Sequence, residues 1–125
     1  MASLFRSSER TVNMREDGKL DYLEFPAGDV GAIKAFYGAA FGWTFQDYGP
    51  AYVAFSEGLD GGFDADPADR STAPLPVLFA TDLEAMLARV EAAGGEIIKP
   101  IYAFPGGRRF HFRDPAGTEL AVWAE

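Results

Sequence analysis

An internal repeat restricts the fold of this chain more than any other feature of its sequence. When the first half is shifted by 53 positions, matching residue types coincide in four pairs: Asp29 with Asp82, Ile33 with Met86, Gly42 with Gly95 and Phe45 with Ile98. The predicted order of a strand, a helix and several strands also occurs twice. The repeat predicts an α+β fold of two βαβββ modules, at about residues 19–66 and 74–125. Because each module is too short to bury its sheet face alone, the two must pack together or with a second chain.

The first module opens with a predicted strand over Leu20–Pro26, where apolar and polar side chains alternate. One face of this strand carries Leu23 and Phe25, which we expect in the core. The other face carries Tyr22 and Glu24. A phenol and a carboxylate side by side on a sheet face are typical of a polar site or of a solvated surface.

A helix follows, which Asp29 caps at its start and Gly42 ends. Its apolar residues recur at helical spacing, and we assign Phe36 among them to the core. Short strands are predicted next, at Trp43–Phe45, Tyr52–Phe55 and Gly61–Phe63. Residues Asp64–Pro74 lack periodicity, which predicts an exposed linker. The four aspartates in and near it do not follow the spacing of a calcium loop: Asp60, Asp64, Asp66 and Asp69.

The second module begins with a predicted strand over Leu75–Ala80. Thr81 and Glu84 then form a capping-box pattern that predicts the start of the second helix. The pair Gly94-Gly95 ends this helix. Two further strand segments, Glu96–Lys99 and Ile101–Phe104, lead into the last part of the chain.

The last part of the chain, GGRRFHFRDPAGTELAVW, predicts a hairpin around the turn at Asp114-Pro115-Ala116-Gly117. If Leu120 and Val122 face the core, Phe110 and Phe112 are their cross-strand neighbours. The opposite face then carries the remaining alternate residues: Arg109, His111, Arg113, Glu119, Ala121 and Trp123. Cations, the only histidine, a carboxylate and a tryptophan on one face indicate a functional site.

The composition fits a single globular domain of 125 residues with 48% apolar residues. We expect residues 1–18 to be a disordered arm and Met14 to be a possible natural start. The formal net charge of -8 argues against nucleic-acid and anionic membrane partners. No apolar run is long enough to span a bilayer, and the lack of cysteine fits a cytoplasmic protein.

The two βαβββ halves, the segment FYGAAFGW and the terminal DPxG hairpin together resemble the vicinal oxygen chelate superfamily, from about Leu20 to Trp123. This superfamily includes glyoxalases, bleomycin resistance proteins and extradiol dioxygenases. The resemblance implies a cup-shaped, incompletely closed mixed β-barrel with helices outside. It also implies a divalent metal held by side chains of the concave face.

Three usual metal-ligand positions of that superfamily fall here on Tyr22, Leu75 and Ala121. Zinc and nickel favour imidazole and thiolate ligands, and the chain has one histidine and no cysteine. The same positions also cannot form a site for a hard cation such as Mg²⁺, because Leu75 and Ala121 offer no side-chain oxygen. We therefore expect a member of the family without the metal and without another cofactor.

Three residues are the candidates for chemistry: Arg109, His111 and Glu24. Arg109 would anchor a carboxylate, phosphate or enolate-like oxygen, and His111 would act as an acid–base or hydrogen-bonding group. Both could instead be hydrogen-bonded strand residues at a solvated edge. Glu24 could be a general base with a pKa raised by burial, or a plain ion-pair partner of Arg109, which is the favoured alternative.

Four residues are the candidates for ligand contact: Tyr22, Trp43, Leu75 and Trp123. Tyr22 would donate a hydrogen bond to a ligand or fill the volume of the missing metal. Trp43, Leu75 and Trp123 would form apolar walls, and Trp123 in particular would stack on a planar ligand. An aromatic residue at strand spacing can equally belong to the core.

The leading hypothesis is a metal-independent protein that binds a small organic ligand in a concave sheet cavity. The first alternative is an isomerase or lyase in which Glu24 or His111 moves a proton next to a carbonyl and Arg109 stabilises the oxyanion. The second is an interaction module without a ligand. Because open sheets bury their edges by pairing, we also expect a homodimer.

Overall fold

The computed structural model describes residues 15–125 and has, within that range, two helices and eight strands. In chain order these are β1 (Leu20–Pro26), α1 (Val30–Phe41), β2 (Gln46–Asp47), β3 (Tyr52–Ser56), β4 (Asp60–Asp64), β5 (Leu75–Phe79), α2 (Leu83–Ala92), β6 (Glu96–Phe104), β7 (Gly107–Arg113) and β8 (Glu119–Ala124). The predicted α+β fold with two βαβββ modules is confirmed. The expected start at Met14 and most of the expected arm lie outside the described residues. Neither helix in the described range is long and apolar enough to cross a membrane.

The chain divides into two compact units, which we call the first unit (residues 22–75) and the second unit (residues 15–21 and 76–125). In the first unit the strand order is β2-β3-β4-β1, with β4 parallel to β1 and antiparallel to β3. The buried core of this unit is formed by Ala27, Val53, Phe55 and Phe63. Partly buried aromatic residues, including Phe25, Tyr37, Trp43 and Phe45, pack around that core.

Helix α1 begins and ends as predicted. The Asp29 side chain accepts a hydrogen bond from the Ala32 N–H, and Gly42 ends the helix with a positive φ of 73°. The assignment of Phe36 to the core is wrong, because this residue is 57% exposed. The core-facing stripe of α1 consists of Val30, Ile33 and Tyr37. Phe36 precedes Tyr37 by one residue, so it lies roughly 100° away around the helix.

Two other expectations for the first unit need correction. The strand predicted at Trp43–Phe45 begins only at Gln46, because Trp43 and Phe45 turn into the aromatic core and the Thr44 N–H donates to Glu57. The exposed linker was predicted to start at Asp64, yet this residue ends β4 and is only 4% exposed. Its carboxylate accepts a hydrogen bond from the Asp66 N–H, which turns the chain back as it leaves the sheet.

Gly62 of β4 lies where two phenol side chains approach the backbone most closely. A Cβ atom at this position would overlap the hydroxyl oxygens of Tyr22 and Tyr52. We expect Gly62→Ala to lower the free energy of unfolding by about 1–3 kcal/mol, the usual cost of overpacking. Urea unfolding would measure this change, with Gly28→Ala as the control because a Cβ there meets no atom within 4 Å. Equal stabilities for the two variants would contradict the close packing at Gly62.

In the second unit the strand order is β5-β8-β7-β6, with β5 parallel to β8 and the other pairs antiparallel. Its core consists of Ala80, Leu83, Phe110, Val122 and Ala124. Residues 15–21 belong to this unit, and the Gly18 N–H donates to the Phe79 carbonyl at 2.8 Å. The backbone is therefore paired with β5 before β1 begins.

Strands β7 and β8 form the predicted hairpin with the predicted register. Phe110 lies opposite Val122 and Phe112 opposite Leu120, so the apolar cross-strand pairs are confirmed. The turn between the strands is held by the Asp114 carboxylate, which accepts from the N–H groups of Ala116 and Thr118. Gly117 has the positive φ, 88°, that the turn chemistry predicted.

The start of α2 differs by one residue from the capping-box prediction. Asp82, not Thr81, caps the helix, and its side chain accepts from the Ala85 N–H at 3.0 Å. Thr81 instead donates both its N–H and its hydroxyl to the Asp17 carboxylate. Since Asp29 and Asp82 are the two aspartates that coincide in the repeat, both modules start their helix with the same cap.

Strand β6 is one strand of nine residues and not the two predicted segments. It carries two extra residues relative to β7: Ile97 lies opposite Phe112, Lys99 opposite His111 and Tyr102 opposite Arg109. These single-residue bulges flank Lys99, and Pro100 lies in the second one. Proline is tolerated there because a bulge leaves one residue out of the ladder.

Candidate functional site

Four polar side chains of the second unit form a continuous hydrogen-bonded group on the face of β6, β7 and β8 opposite the core. We call Tyr102, Arg109, His111 and Glu119 the C-terminal polar group. Arg109 Nε donates to the Tyr102 hydroxyl at 2.5 Å, and that hydroxyl lies 2.9 Å from His111 Nε2. His111 Nδ1 lies 2.8 Å from Glu119 Oε2. The two candidates for chemistry that were predicted on this face, Arg109 and His111, are thus joined through Tyr102.

The environment of His111 determines which ring nitrogen carries the proton. Burial lowers the pKa of His111, and the charges of Arg109 and Lys99 lower it further, while Glu119 opposes the shift. The imidazole is therefore neutral at pH 7. A carboxylate only accepts hydrogen bonds, so Nδ1 carries the proton and donates it to Glu119. The Nε2 lone pair then accepts the Tyr102 O–H.

The arrangement of the group follows from strand register. Arg109 lies directly opposite Tyr102, and His111 contacts Tyr102 and Glu119 along diagonals of the sheet. Without the two bulges, the register would place Ile98 and Pro100 opposite His111 and Arg109. Strict alternation along β6 therefore could not identify Tyr102 as part of the site. The proline within an aromatic-rich strand was the one sequence feature that indicated a bulge.

Arg109 is 8% exposed, although it is a charged residue. Its guanidinium lies 5.5 Å from the Phe104 ring centre and 5.7 Å from that of Tyr102. Aromatic faces attract a cation electrostatically, so these two rings stabilise the buried charge. The guanidinium is held in place before a ligand binds, which favours binding of an oxyanion.

Trp123 lies opposite Arg109 on the same face of the sheet, as predicted. Its indole N–H donates to Asp21 at 3.0 Å, and Arg15 lies 5.1 Å above the ring. Phe79 and Phe104 flank the ring at 5.4 and 6.3 Å. The orientation of this indole is therefore fixed by contacts within the second unit.

The first unit has its own polar group, formed by Tyr22, Glu24 and Tyr52. The Tyr52 hydroxyl donates to Glu24 Oε2 at 3.0 Å and lies 2.6 Å from the Tyr22 hydroxyl. Burial raises the pKa of Tyr52, and the Glu24 charge raises it further, so this phenol stays protonated. The predicted pair on the second face of β1 is thus bridged by a tyrosine that sequence reasoning did not single out.

Asp64 lies in the same unit and is the most strongly perturbed carboxyl group there. Burial raises the pKa of Asp64 to about 6, and a hydrogen bond with Asp69 and the charges of Glu24 and Asp69 act in the same direction. The Asp66 N–H, which donates to Asp64, opposes this shift. Asp64 therefore changes charge close to neutral pH.

The other predicted ligand contacts, Trp43 and Leu75, lie in the first unit. Trp43 stacks on Tyr37 at 4.8 Å and contacts Phe55 at 4.9 Å, and it is partly buried against the core. Leu75 is almost completely buried. Both side chains are therefore part of the packed interior of the first unit.

The donor chemistry at the family's metal positions does not suit a divalent cation. Tyr22 is engaged with Tyr52, and Leu75 and Ala121 are hydrocarbons. Within residues 15–125, no three His, Cys, Asp or Glu side chains are grouped so as to hold a metal ion.

Comparisons with known proteins agree with this architecture. The family model described as "Glyoxalase/Bleomycin resistance protein/Dioxygenase superfamily" matches residues 19–122. The anthracycline biosynthesis protein DnrV of Streptomyces peucetius is 36% identical over 126 aligned positions, which cover 82% of this chain and 45% of DnrV. The chain thus spans about half the length of this curated relative.

Solved structures show the same fold at low sequence identity. The Mn(II)-bound glyoxalase of Novosphingobium aromaticivorans is 23% identical with a TM-score of 0.61, covering 89% of this chain and 40% of that one. A superfamily member from Vibrio splendidus is 16% identical with a TM-score of 0.63, covering 85% and 98%. At these identities the likeness concerns the fold and not the ligand.

Proposed function

Because the chain belongs to the glyoxalase/bleomycin resistance protein/dioxygenase superfamily, we propose that it binds a small organic ligand through its C-terminal polar group, without a metal ion. The single observation that carries this proposal is the buried Arg109 guanidinium, which lies over the rings of Tyr102 and Phe104 and is hydrogen-bonded to Tyr102. A buried, oriented cation favours an anionic or strongly polarised oxygen of a ligand. Trp123 on the same face would contact the ligand's apolar part.

The relatives narrow the expected ligand class. DnrV is named as an anthracycline biosynthesis protein. Anthracyclines are planar aromatic compounds that carry carbonyl and hydroxyl oxygens. A planar carbonyl compound would suit both an indole and a guanidinium. We therefore propose small carbonyl compounds, with or without an aromatic ring system, as the first ligands to test.

Replacing the arginine should remove this binding. In a thermal-shift screen of small acids, ketones, anthracyclines and cationic drugs, we expect carbonyl compounds to raise the melting temperature of the wild-type protein. Arg109→Gln should weaken their binding by about 30-fold or more, since losing a buried charged contact costs at least about 2 kcal/mol. The control is Arg108→Gln, because Arg108 is the preceding residue and forms an exposed ion pair with Glu84. Equal loss in both variants would contradict the assignment.

Metal content gives a separate test of the same proposal. Protein purified without chelator should contain far less than one divalent ion per chain by elemental mass spectrometry. Added manganese, zinc or nickel should leave ligand affinity unchanged. A stoichiometric ion whose loss abolished binding would contradict metal independence.

An enzymatic function is the second candidate. The series of hydrogen bonds from Glu119 through His111 to Tyr102 favours an enzyme, because oriented acid–base groups support proton transfer next to a carbonyl. Arg109, which donates to Tyr102, would stabilise the oxyanion. Glu24 is the other candidate base, and it is 5% exposed. Unchanged ligand affinity and unchanged turnover in Glu24→Gln would remove Glu24 from the reaction.

We also propose that two copies pair in solution. The outermost strand of the second unit, β6, has nine residues, and a long edge strand favours pairing with another chain. Sedimentation at micromolar concentration should give twice the chain mass of 13.5 kDa. A protein that has the mass of one chain and binds none of the screened compounds would contradict both the pairing and the ligand proposal.

A further inference from the structure

Within the C-terminal polar group Tyr102 and Glu119 are partly exposed, whereas His111 is buried. His111 is 1% exposed, and both of its ring nitrogens lie within hydrogen-bond distance of protein atoms, Tyr102 and Glu119. Tyr102 is only partly buried. Since Nδ1 carries the proton that is donated to Glu119, the proton-accepting Nε2 of His111 can reach a ligand only through the Tyr102 hydroxyl.

Tyr102, His111 and Glu119 have the order of a nucleophile–base–orienter triad. A carboxylate fixes the tautomer of an imidazole, and the other imidazole nitrogen accepts a hydroxyl proton. In acyl-transfer enzymes the same order of groups activates a serine. Here the hydroxyl belongs to a tyrosine, and an arginine donates a second hydrogen bond to the same oxygen at 2.5 Å.

We propose that Tyr102 is a catalytic residue that relays a proton between a bound carbonyl compound and His111, with Glu119 as the positioning residue. This inference rests on the proposed binding of a carbonyl ligand to Arg109. In the forward step, the C–H bond next to the ligand carbonyl breaks and its proton bonds to the Tyr102 oxygen. The Tyr102 O–H proton moves at the same time to His111 Nε2. The C–H electron pair becomes an enolate, and its oxygen lies against the Arg109 guanidinium.

The charges that face the relay determine its direction. The imidazolium formed on His111 is stabilised by Glu119 on β8 and destabilised by Arg109 on β7 and Lys99 on β6. The two cations therefore return the proton toward Tyr102 once the enolate is reprotonated. A concerted transfer also avoids a free phenolate, which would be costly in a partly buried position.

The protonation state of His111 can be tested without any ligand. This is the only histidine of the chain, so the two imidazole nitrogen signals in ¹⁵N NMR of tag-free protein need no assignment by mutation. At pH 7 we expect a neutral ring with the proton on Nδ1. Glu119→Leu removes the acceptor and should give a mixture of tautomers. A charged ring, or a proton on Nε2 in the wild-type protein, would overturn the relay.

The transfer itself can be tested with 2-oxobutanoate in D₂O, by following loss of its C3 protons in ¹H NMR. We expect the wild-type protein to accelerate exchange, Tyr102→Phe to reduce the acceleration by about 100-fold or more, and Glu119→Leu by about 10-fold. Tyr48→Phe is the matched control, because Tyr48 is 63% exposed, and it should stay within about twofold of wild type. Circular dichroism would establish that each variant is folded.

The outcomes separate this inference from the proposed function. Binding of 2-oxobutanoate by thermal shift without accelerated exchange overturns the relay but leaves ligand binding intact. If Tyr102→Phe exchanges the C3 protons as fast as the wild-type protein, the reaction takes place at another group, and this result also overturns the relay. Absence of both binding and exchange counts against the carbonyl ligand class, and hence against the proposed function and the relay together.

Discussion

Phe110→Ala should lower the free energy of unfolding by about 3–5 kcal/mol, the largest effect we expect from a single substitution in this protein. Phe110 is completely buried in the core of the second unit, where it lies opposite Val122. Removing the ring takes away buried apolar area and leaves a cavity that neighbouring side chains fill only in part. Because the ring lies on the face of β7 opposite His111, the His111 tautomer should stay unchanged in the folded variant.

The matched control is the same substitution at Phe36, which is 57% exposed on α1. Phe36 contacts the rings of Tyr37 and Phe41 on the helix surface, but alanine has the higher helix propensity, so the net cost should be below about 1 kcal/mol. Urea unfolding of both variants measures the difference. Similar costs at the two positions would contradict the burial that separates these two phenylalanines.

Asp64→Asn should stabilise the protein by about 2–3 kcal/mol at pH 7 and above, and by almost nothing near pH 4. Burial and neighbouring carboxylates raise the pKa of Asp64 from 3.8 to about 6. Between these values the folded state holds a proton that the unfolded state has lost. The contribution of Asp64 to stability therefore falls as pH rises through this window and remains unfavourable above it.

An asparagine keeps the oxygen that accepts the Asp66 N–H and removes the ionisation. The quantity to measure is the difference in unfolding free energy between variant and wild type at several pH values from 4 to 8. His111, whose lowered pKa makes stability fall with acid, contributes equally to both proteins and cancels in this difference. Glu91→Gln, an exposed carboxylate, controls for net charge. A difference that does not change with pH would contradict the raised pKa.

Much of the fold could be predicted because local chemistry repeats. The two aspartates that the repeat superimposes are both helix caps, and period-two alternation in the last hairpin gave the correct register. These features depend on side chains a few residues apart. The same alternation places Arg109 and His111 on one face of the sheet.

The features that could not be predicted depend on contacts distant in sequence. Phe36 fits the apolar spacing of α1, but the core accepts only the stripe through Tyr37. Asp64 lies among turn residues, yet its burial next to Glu24 and Asp69 depends on the sheet. Tyr102 reaches His111 because of two bulges, which shift a strand in a way that composition does not reveal.

Those two extra residues in β6 have a consequence for how such a protein could acquire new chemistry. If the same residues of β6 paired without bulges from Ile97 onward, Ile98 and Pro100 would lie opposite His111 and Arg109 in place of the Lys99 ammonium and the Tyr102 phenol. No codon for a polar group would need to mutate. A change of register in an edge strand is thus a route by which one scaffold gains or loses a reactive hydroxyl.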